Sequence, residues 1–426
     1  MEKKVSIMIL FIVLLSVGVK QLREKVPSTE SILCTESKIE KENLLGTESD
    51  EMSLDRCTPL PTIQFKEEAN LQAKELTYRT EHALVGVDQE YYYFIENYDR
   101  IIDEAHDPEL IDKFYRVDRK NEEQKEEIGE NCIEAYGEWS GVYQGNAYSC
   151  ETYSDGKSSI VLTKYTQGGP EEGIVLYWRE IAGIIAVENY GRYIAMLYNI
   201  WTDESRTEKS TCVICYDLET ERWKEIMLCN NSSASGEKYT GGIITEIGIS
   251  GGYLTWVQLQ VNGERYHSEA GNACVYQYSL LEDKIEKLFE VQRDVNKIWG
   301  DEQFIITTDY ITDPDSTENA GRLYVKKDGQ WYQHSIPYTN ARTRRQTGYV
   351  ERLDKNRYVF LVGQYIYVYD LNEQTYRMLD IDRINEEAAP YYSPYRAYYF
   401  GEKAICWQYN FNSQKVTLYE VDLSKK

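Results

Sequence analysis

Few stretches of this 426-residue chain combine residue types that could do chemistry. Asp309-Tyr-Ile-Thr-Asp313-Pro-Asp315-Ser-Thr-Glu318-Asn319 is dense in side-chain oxygens, and calcium takes six to eight oxygen ligands. Asp313, Asp315 and Glu318 are its candidate metal ligands, although the glycine and terminal glutamate spacing of an EF-hand loop is missing. Arg342-Thr-Arg344-Arg345 is the one basic cluster, and Arg342, Arg344 and Arg345 could grip an anionic group. Gly248-Ile-Ser250-Gly-Gly252 matches a G-x-S-x-G nucleophile, but that chemistry needs a strand-to-helix elbow and no helical segment follows. Cys212-x-x-Cys215 has the spacing of a metal or thiol site, yet residues three apart on a strand point to opposite faces. The four histidines, His82, His106, His267 and His334, have no partners at ligand spacing. A catalytic carboxylate pair is defined by separation in space, so none can be picked among 71 acidic residues. The sequence assigns no catalytic residue and no cofactor.

The elements that would position such residues repeat along the chain. Tyr365-Ile-Tyr-Val-Tyr-Asp-Leu reads as a strand, Asn372-Glu-Gln374 as a turn and Thr375–Leu379 as the return. Ile366 and Val368 share one face and the three tyrosines the other, as suits a strand sandwiched between two neighbours. The unit recurs at Cys212–Leu218, Cys274–Leu280 and Thr417–Leu423, and more loosely at Lys113–Asp118, Ser159–Tyr165 and Arg322–Lys326. Successive copies lie about 40–65 residues apart, the range of propeller blades. Tight turns upstream of each hairpin, such as Ser250-Gly-Gly252 and Lys355-Asn356, mark a second strand pair.

The expectation is therefore an all-β fold, a single β-propeller of seven four-stranded blades, with six or eight as alternatives because the second copy is weakly marked. The seventh unit lacks its last strand, and Lys74–Thr80 is the natural substitute to close the ring. The B–C loops and the D-to-A crossings would share one end of the disc. That end would hold the long connections, including Thr202–Lys209, Asn262–Asn272, Ile311–Ala320 and Pro337–Gly348. Trp201, Tyr239, Tyr266 and Tyr310 stand at their roots and could stack on a ligand.

Outside the repeats, Lys3 and Lys4 precede Val5–Val19, an uncharged run of secretory-signal length. Residues 1–19 read as a signal peptide or anchor, 20–69 as a disordered polar tether and 70–426 as the propeller. The folded part is expected at the cell surface or outside the cell, as a monomer touching membrane only through the N-terminal segment. A net charge of −24 argues against nucleic acid, whose binders show a basic face.

At Val-Ile-Cys-Tyr-Asp217-Leu-Glu-Thr-Glu-Arg-Trp223 and Ile-Tyr-Val-Tyr-Asp370-Leu-Asn-Glu-Gln-Thr-Tyr376 the chain resembles the repeats of TolB-like and related bacterial β-propellers. The resemblance covers about residues 70–423 and implies a fold, not an activity. Without a catalytic motif in a plausible setting, the expectation is a binding module for a protein or glycan on the long-loop end. The rival is a carbohydrate-active enzyme, a glycosidase or lyase using carboxylates at the central channel.

Overall fold

Strand Tyr365–Asp370 shows how the repeat packs. Ile366 and Val368 sit in a core shared with Ala404, Cys406 and Tyr419, while Tyr367 and Tyr369 sit in another shared with Phe304, Leu323 and Val325. Both faces are dry, so the strand lies between two other sheets, as its two apolar faces predict. The computed structural model describes residues 59–424 apart from 81–82, 96–111, 132–136, 155–157, 167–168, 171–173, 178–180, 202–208, 231–232, 235–237, 263–272, 292–294, 310–318, 340–349, 385–390, 393–396 and 411–414. The expected signal segment, and the tether as far as residue 58, lie outside the described residues.

The chain is an all-β propeller with four-stranded blades, and its described strands pair into seven sheets. The first sheet is Ala83–Val87, Tyr91–Ile95, Asp112–Asp118 and Lys125–Asn131. The second is Gly137–Tyr143, Asn146–Ser154 and Ser158–Thr166, with Gly169–Pro170 and Ile174–Tyr177 both paired to its third strand. The third runs Ile181–Tyr190, Tyr193–Trp201, Lys209–Asp217 and Arg222–Asn230. The fourth runs Lys238–Ser250, Tyr253–Asn262, Ala273–Ser279 and Lys284–Val291, and the fifth Val295–Gly300, Phe304–Asp309, Gly321–Lys327 and Gln330–Ser335. The sixth is Glu351–Arg352, Arg357–Val362, Tyr365–Asp370 and Thr375–Asp380. The seventh has Ala397–Phe400, Lys403–Asn410 and Lys415–Asp422, and its fourth strand is Ala73–Thr80 from the other end of the chain. That strand pairs antiparallel, Ala73 with Val421 and Thr80 with Val416, through a bulge.

Aspartates fix the turns. The Asp370 carboxylate accepts the Asn372 and Glu373 N–H groups (3.0 and 2.9 Å), Asp88, Asp118, Asp301 and Asp354 do the same in other hairpins, and Asp217 accepts the Glu219 N–H. The next residue then ties one hairpin to its neighbour. The Leu218, Leu280, Leu371 and Leu423 N–H groups donate to the carbonyls of Arg192, Gly252, Asn356 and Glu402, at 2.8–3.0 Å.

Neighbouring sheets share apolar clusters, and the last meets the first where Trp407 and Leu418 pack with Leu84 and Phe94. First strands converge near the centre. A Cβ on Gly248 would stand 1.7 Å from the Ile298 carbonyl oxygen, which explains a glycine there better than nucleophile chemistry does.

One expectation is corrected. Residues 59–69 belong to the fold and not to the tether. Ile63 N–H donates to the Gln333 carbonyl, Lys66 N–H to Gln374 and Leu71 N–H to Met378 (2.8–2.9 Å), and Lys66–Glu67 pairs parallel with Thr375–Tyr376. This strap runs along the outer strands of the fifth and sixth sheets before becoming the outer strand of the seventh. Each cleft that it crosses receives an apolar side chain: Leu60 between the fourth and fifth sheets, Phe65 between the fifth and sixth, and Leu71 between the sixth and seventh. Leu76, in the closing strand, continues the series between the seventh and first.

Truncation tests this arrangement. Removing residues 1–58 should leave the melting temperature unchanged, and removing 1–72 should lower it clearly. Removing 1–81 should give an aggregating chain, because strand Lys415–Asp422 loses its partner. Phe65→Ala should cost about 3 kcal/mol in a denaturant titration; a cost near zero would mean that the strap does not hold the clefts.

Candidate functional site

The end of the propeller carrying the B–C and D–A connections is where strands Phe304–Asp309 and Gln330–Ser335 finish and Val295–Gly300 and Gly321–Lys327 begin. Of the residues expected to act there, Trp201 closes strand Tyr193–Trp201, half-buried and opposite Lys209. Tyr239 lies in strand Lys238–Ser250, opposite Ser233. Tyr266, Tyr310, Arg342, Arg344, Arg345, Asp313, Asp315 and Glu318 lie outside the described residues. The described part therefore does not join the expected residues into one site.

It does show a pocket at this end that sequence reasoning missed. A cavity of about 370 Å³ opens between the fourth and fifth sheets, a size that suits a small ligand or an inserted side chain. Glu290 and Val291 form one wall, Asp309, Arg322 and His334 another, and Thr62 to Gln64 of the strap the third. The strap was the missing information. Its first aromatic residue, Phe65, was the sequence signal that the tether had already ended, and its ring meets His334 edge-on at 5.1 Å.

The polar groups of the pocket are held in place. Arg322 lies 3.3 Å from the buried Asp309 carboxylate and donates to Ser335 Oγ and the Gly321 carbonyl (3.2 Å each). His334 Nδ1 lies 3.2 Å from the Ile63 carbonyl, which can only accept, so Nδ1 carries the proton. Burial lowers the His334 pKa and favours the neutral ring, leaving Nε2 as an acceptor. Among the described residues Nε2 has no hydrogen-bond partner.

A second polar group lies at the centre, on the first strands. Lys297 of the fifth sheet reaches Glu246 of the fourth (3.4 Å) and Glu188 of the third (3.8 Å). Tyr190 of the third sheet hydrogen-bonds Glu351 of the sixth, so this contact spans the ring. Burial pushes both Glu246 and Glu351 up to about 7, with Lys297 opposing the rise at Glu246. These carboxylates on the first strands are tied to a lysine and a tyrosine.

The remaining candidates are structural. Ser250 is buried in the strand that ends at the Gly251-Gly252 turn, and among the described residues its hydroxyl has no hydrogen-bond partner. Cys212 and Cys215 point into different cores, one toward the second sheet and one toward the fourth, and with Cys274 and Cys406 they are buried. No group of three His, Cys, Asp or Glu residues able to hold a metal occurs among the described residues.

No known sequence family and no characterised protein matches the chain. Among solved structures it is similar to the N-terminal domain of Nup159 (11% identity, TM-score 0.45, covering 85% of this chain and 98% of that one). It is also similar to the β-propeller domain of the Trilobed protease from Pyrococcus furiosus (11%, 0.44, 82% and 97%) and to an oligogalacturonate lyase in complex with manganese (12%, 0.46, 86% and 97%). The likeness is one of β-propeller fold.

The central carboxyls give a pH test. Their folded pKa values lie above those of an unfolded chain, so the folded state binds more protons between about pH 4.5 and 7. Their stabilising contribution is complete below that window and is lost as pH rises through it, at up to about 1.4 kcal/mol per pH unit for each group. Glu351→Gln and Glu246→Gln should therefore gain stability relative to wild type as pH goes from 5 to 8. Melting curves that stay parallel across that range would remove the assignment.

Proposed function

We propose that the chain is a binding module displayed outside the cytoplasmic membrane, taking a protein or glycan ligand at the end of the ring that carries the long connections. The pocket between the fourth and fifth sheets carries this reading. It is concave, lined by both apolar and fixed polar groups, and set in a scaffold whose clefts are packed on both sides, which are the features of a preformed site. In this reading each of the seven sheets is one blade, and Ala73–Thr80 shuts the ring. Arg342, Arg344 and Arg345 follow the fifth sheet in the chain and add a basic patch for an anionic group on the ligand.

Binding assays with the full chain test the reading. Gln64 is exposed on the pocket wall, so Gln64→Trp should fill the cavity without disturbing a core, and retention of the ligand should drop about tenfold or more. Changing Arg342, Arg344 and Arg345 together to Ala should weaken an anionic partner, more at low salt than at high salt. Full binding by the Gln64→Trp variant would move the site elsewhere. Polysaccharide hydrolysis that disappears in Glu246→Gln or Glu351→Gln would replace the binding module with a glycosidase.

Location is tested separately. Val5–Val19 is the export or anchoring segment in this reading. Protease added to intact cells should release or degrade the domain, and a protein that survives there but is cut after lysis would place it inside.

A further inference from the structure

Tyr338 stands out among the described residues. It is a large aromatic side chain left 49% exposed, on a backbone with φ +61°. That left-handed conformation is unfavourable for a bulky residue and persists only where surrounding contacts impose it. Here they do. Thr339 is buried, and its Oγ1 accepts the Gly321 N–H and donates to the Ile336 carbonyl, both at 2.8 Å. The Ile336 N–H donates to the Gly321 carbonyl (3.0 Å), and Tyr367 Oη donates to the Pro337 carbonyl (2.5 Å). Four hydrogen bonds thus clamp the turn on either side of Tyr338, while its own ring is left out of the core.

The ring faces chemistry of one kind. Its centroid lies 5.9 Å from that of Tyr365, with the planes 37° apart. Tyr365 begins its strand just after the B–C turn of the sixth sheet, so the pair sits at the long-connection end, one cleft beyond the pocket. Tyr338 Oη donates to Glu67 of the strap (3.2 Å), which also accepts from Tyr376 (2.8 Å). Asp380, Asp382 and Arg383 surround the Tyr365 side. Gln364 donates to Asp380 at 2.9 Å.

We propose that Tyr338 and Tyr365 form a platform on which a pyranose ring of a neutral glycan stacks, with Glu67 and Asp380 accepting its hydroxyls. A flat aromatic face matches the C–H face of a sugar, and carboxylates at its margin match the hydroxyl edge. Three acids against Arg383 disfavour an acidic sugar. The proposal rests on the binding reading above and names its ligand class.

Linear oligomers of glucose, galactose, mannose and N-acetylglucosamine are titrated against the full chain by calorimetry. At least one should bind. Tyr338→Gly should weaken it about tenfold or more while leaving the melting temperature equal or higher, because glycine relieves the left-handed strain. Tyr338→Trp should keep the affinity, since it keeps the stacking face. A stable Tyr338→Gly variant that binds as wild type, or equal loss in the Trp and Gly variants, overturns the platform. If no oligomer binds, the sugar assignment falls. If a protein partner is then retained by the chain and lost in Gln64→Trp, the binding reading survives it.

Discussion

The whole structure depends on how its hairpin turns end. A tight turn leaves backbone N–H groups that the strand ladder cannot use, and water is the only alternative to a local acceptor. The Asp carboxylate at the turn accepts two of them, and the following N–H is then directed at the neighbouring turn. Where the fourth sheet has Ser279 instead, the hydroxyl takes the Glu282 N–H at 3.1 Å. With turns pinned to each other, four strands stay in register along the radius. Each sheet can then present apolar residues on both faces, and its clefts with its neighbours fill as dry cores.

This explains which parts of the fold could be read from the sequence. In the third, sixth and seventh sheets the turn aspartate is followed by Leu and preceded by alternating residues, Asp217-Leu218, Asp370-Leu371 and Asp422-Leu423, so it marks those copies. Ile366 and Val368 against Tyr367 and Tyr369 revealed a strand with two buried faces. The closing strand was legible as a strand upstream of the first copy, Lys74–Thr80, and it pairs with Lys415–Asp422. The strap could not be inferred that way. Leu60, Phe65 and Leu71 each enter a different cleft, so they share no face and follow no period of 2 or 3.6. Without the strap, the pocket had no third wall and the role of His334 was invisible.

The centre was illegible for another reason. Glu188, Glu246 and Glu351 look like surface acids among 71. Their meaning comes from where the first strands bring them, against Lys297 and Tyr190 from other sheets. The close approach at Gly248 shows how tightly those strands converge on one side of the ring. Burial holds Glu246, beside Lys297, and Glu351, beside Tyr190, up at about 7, so both are partly protonated near neutral pH, which is cheaper than burying their full charges.

The outer edges do carry a readable signal for the strap once its physics is known. A propeller exposes the last strand of every sheet, and an exposed edge invites pairing with another chain. The first, third and fourth sheets end in KEEIGEN, RWKEIMLCN and KIEKLFEV, edges studded with lysine, arginine and glutamate, and no described segment pairs beside them. The fifth ends in QWYQHS, which has no lysine, arginine or acid, and the sixth in TYRMLD, which has a single arginine and a terminal aspartate. These are the two edges on which the strap lies. Charge protects the edges that stay open, because a pairing chain would have to settle beside those charges. Where charge is scarce, the protein supplies its own cover, and that cover also forms a wall of the pocket and carries Glu67 to the Tyr338 platform.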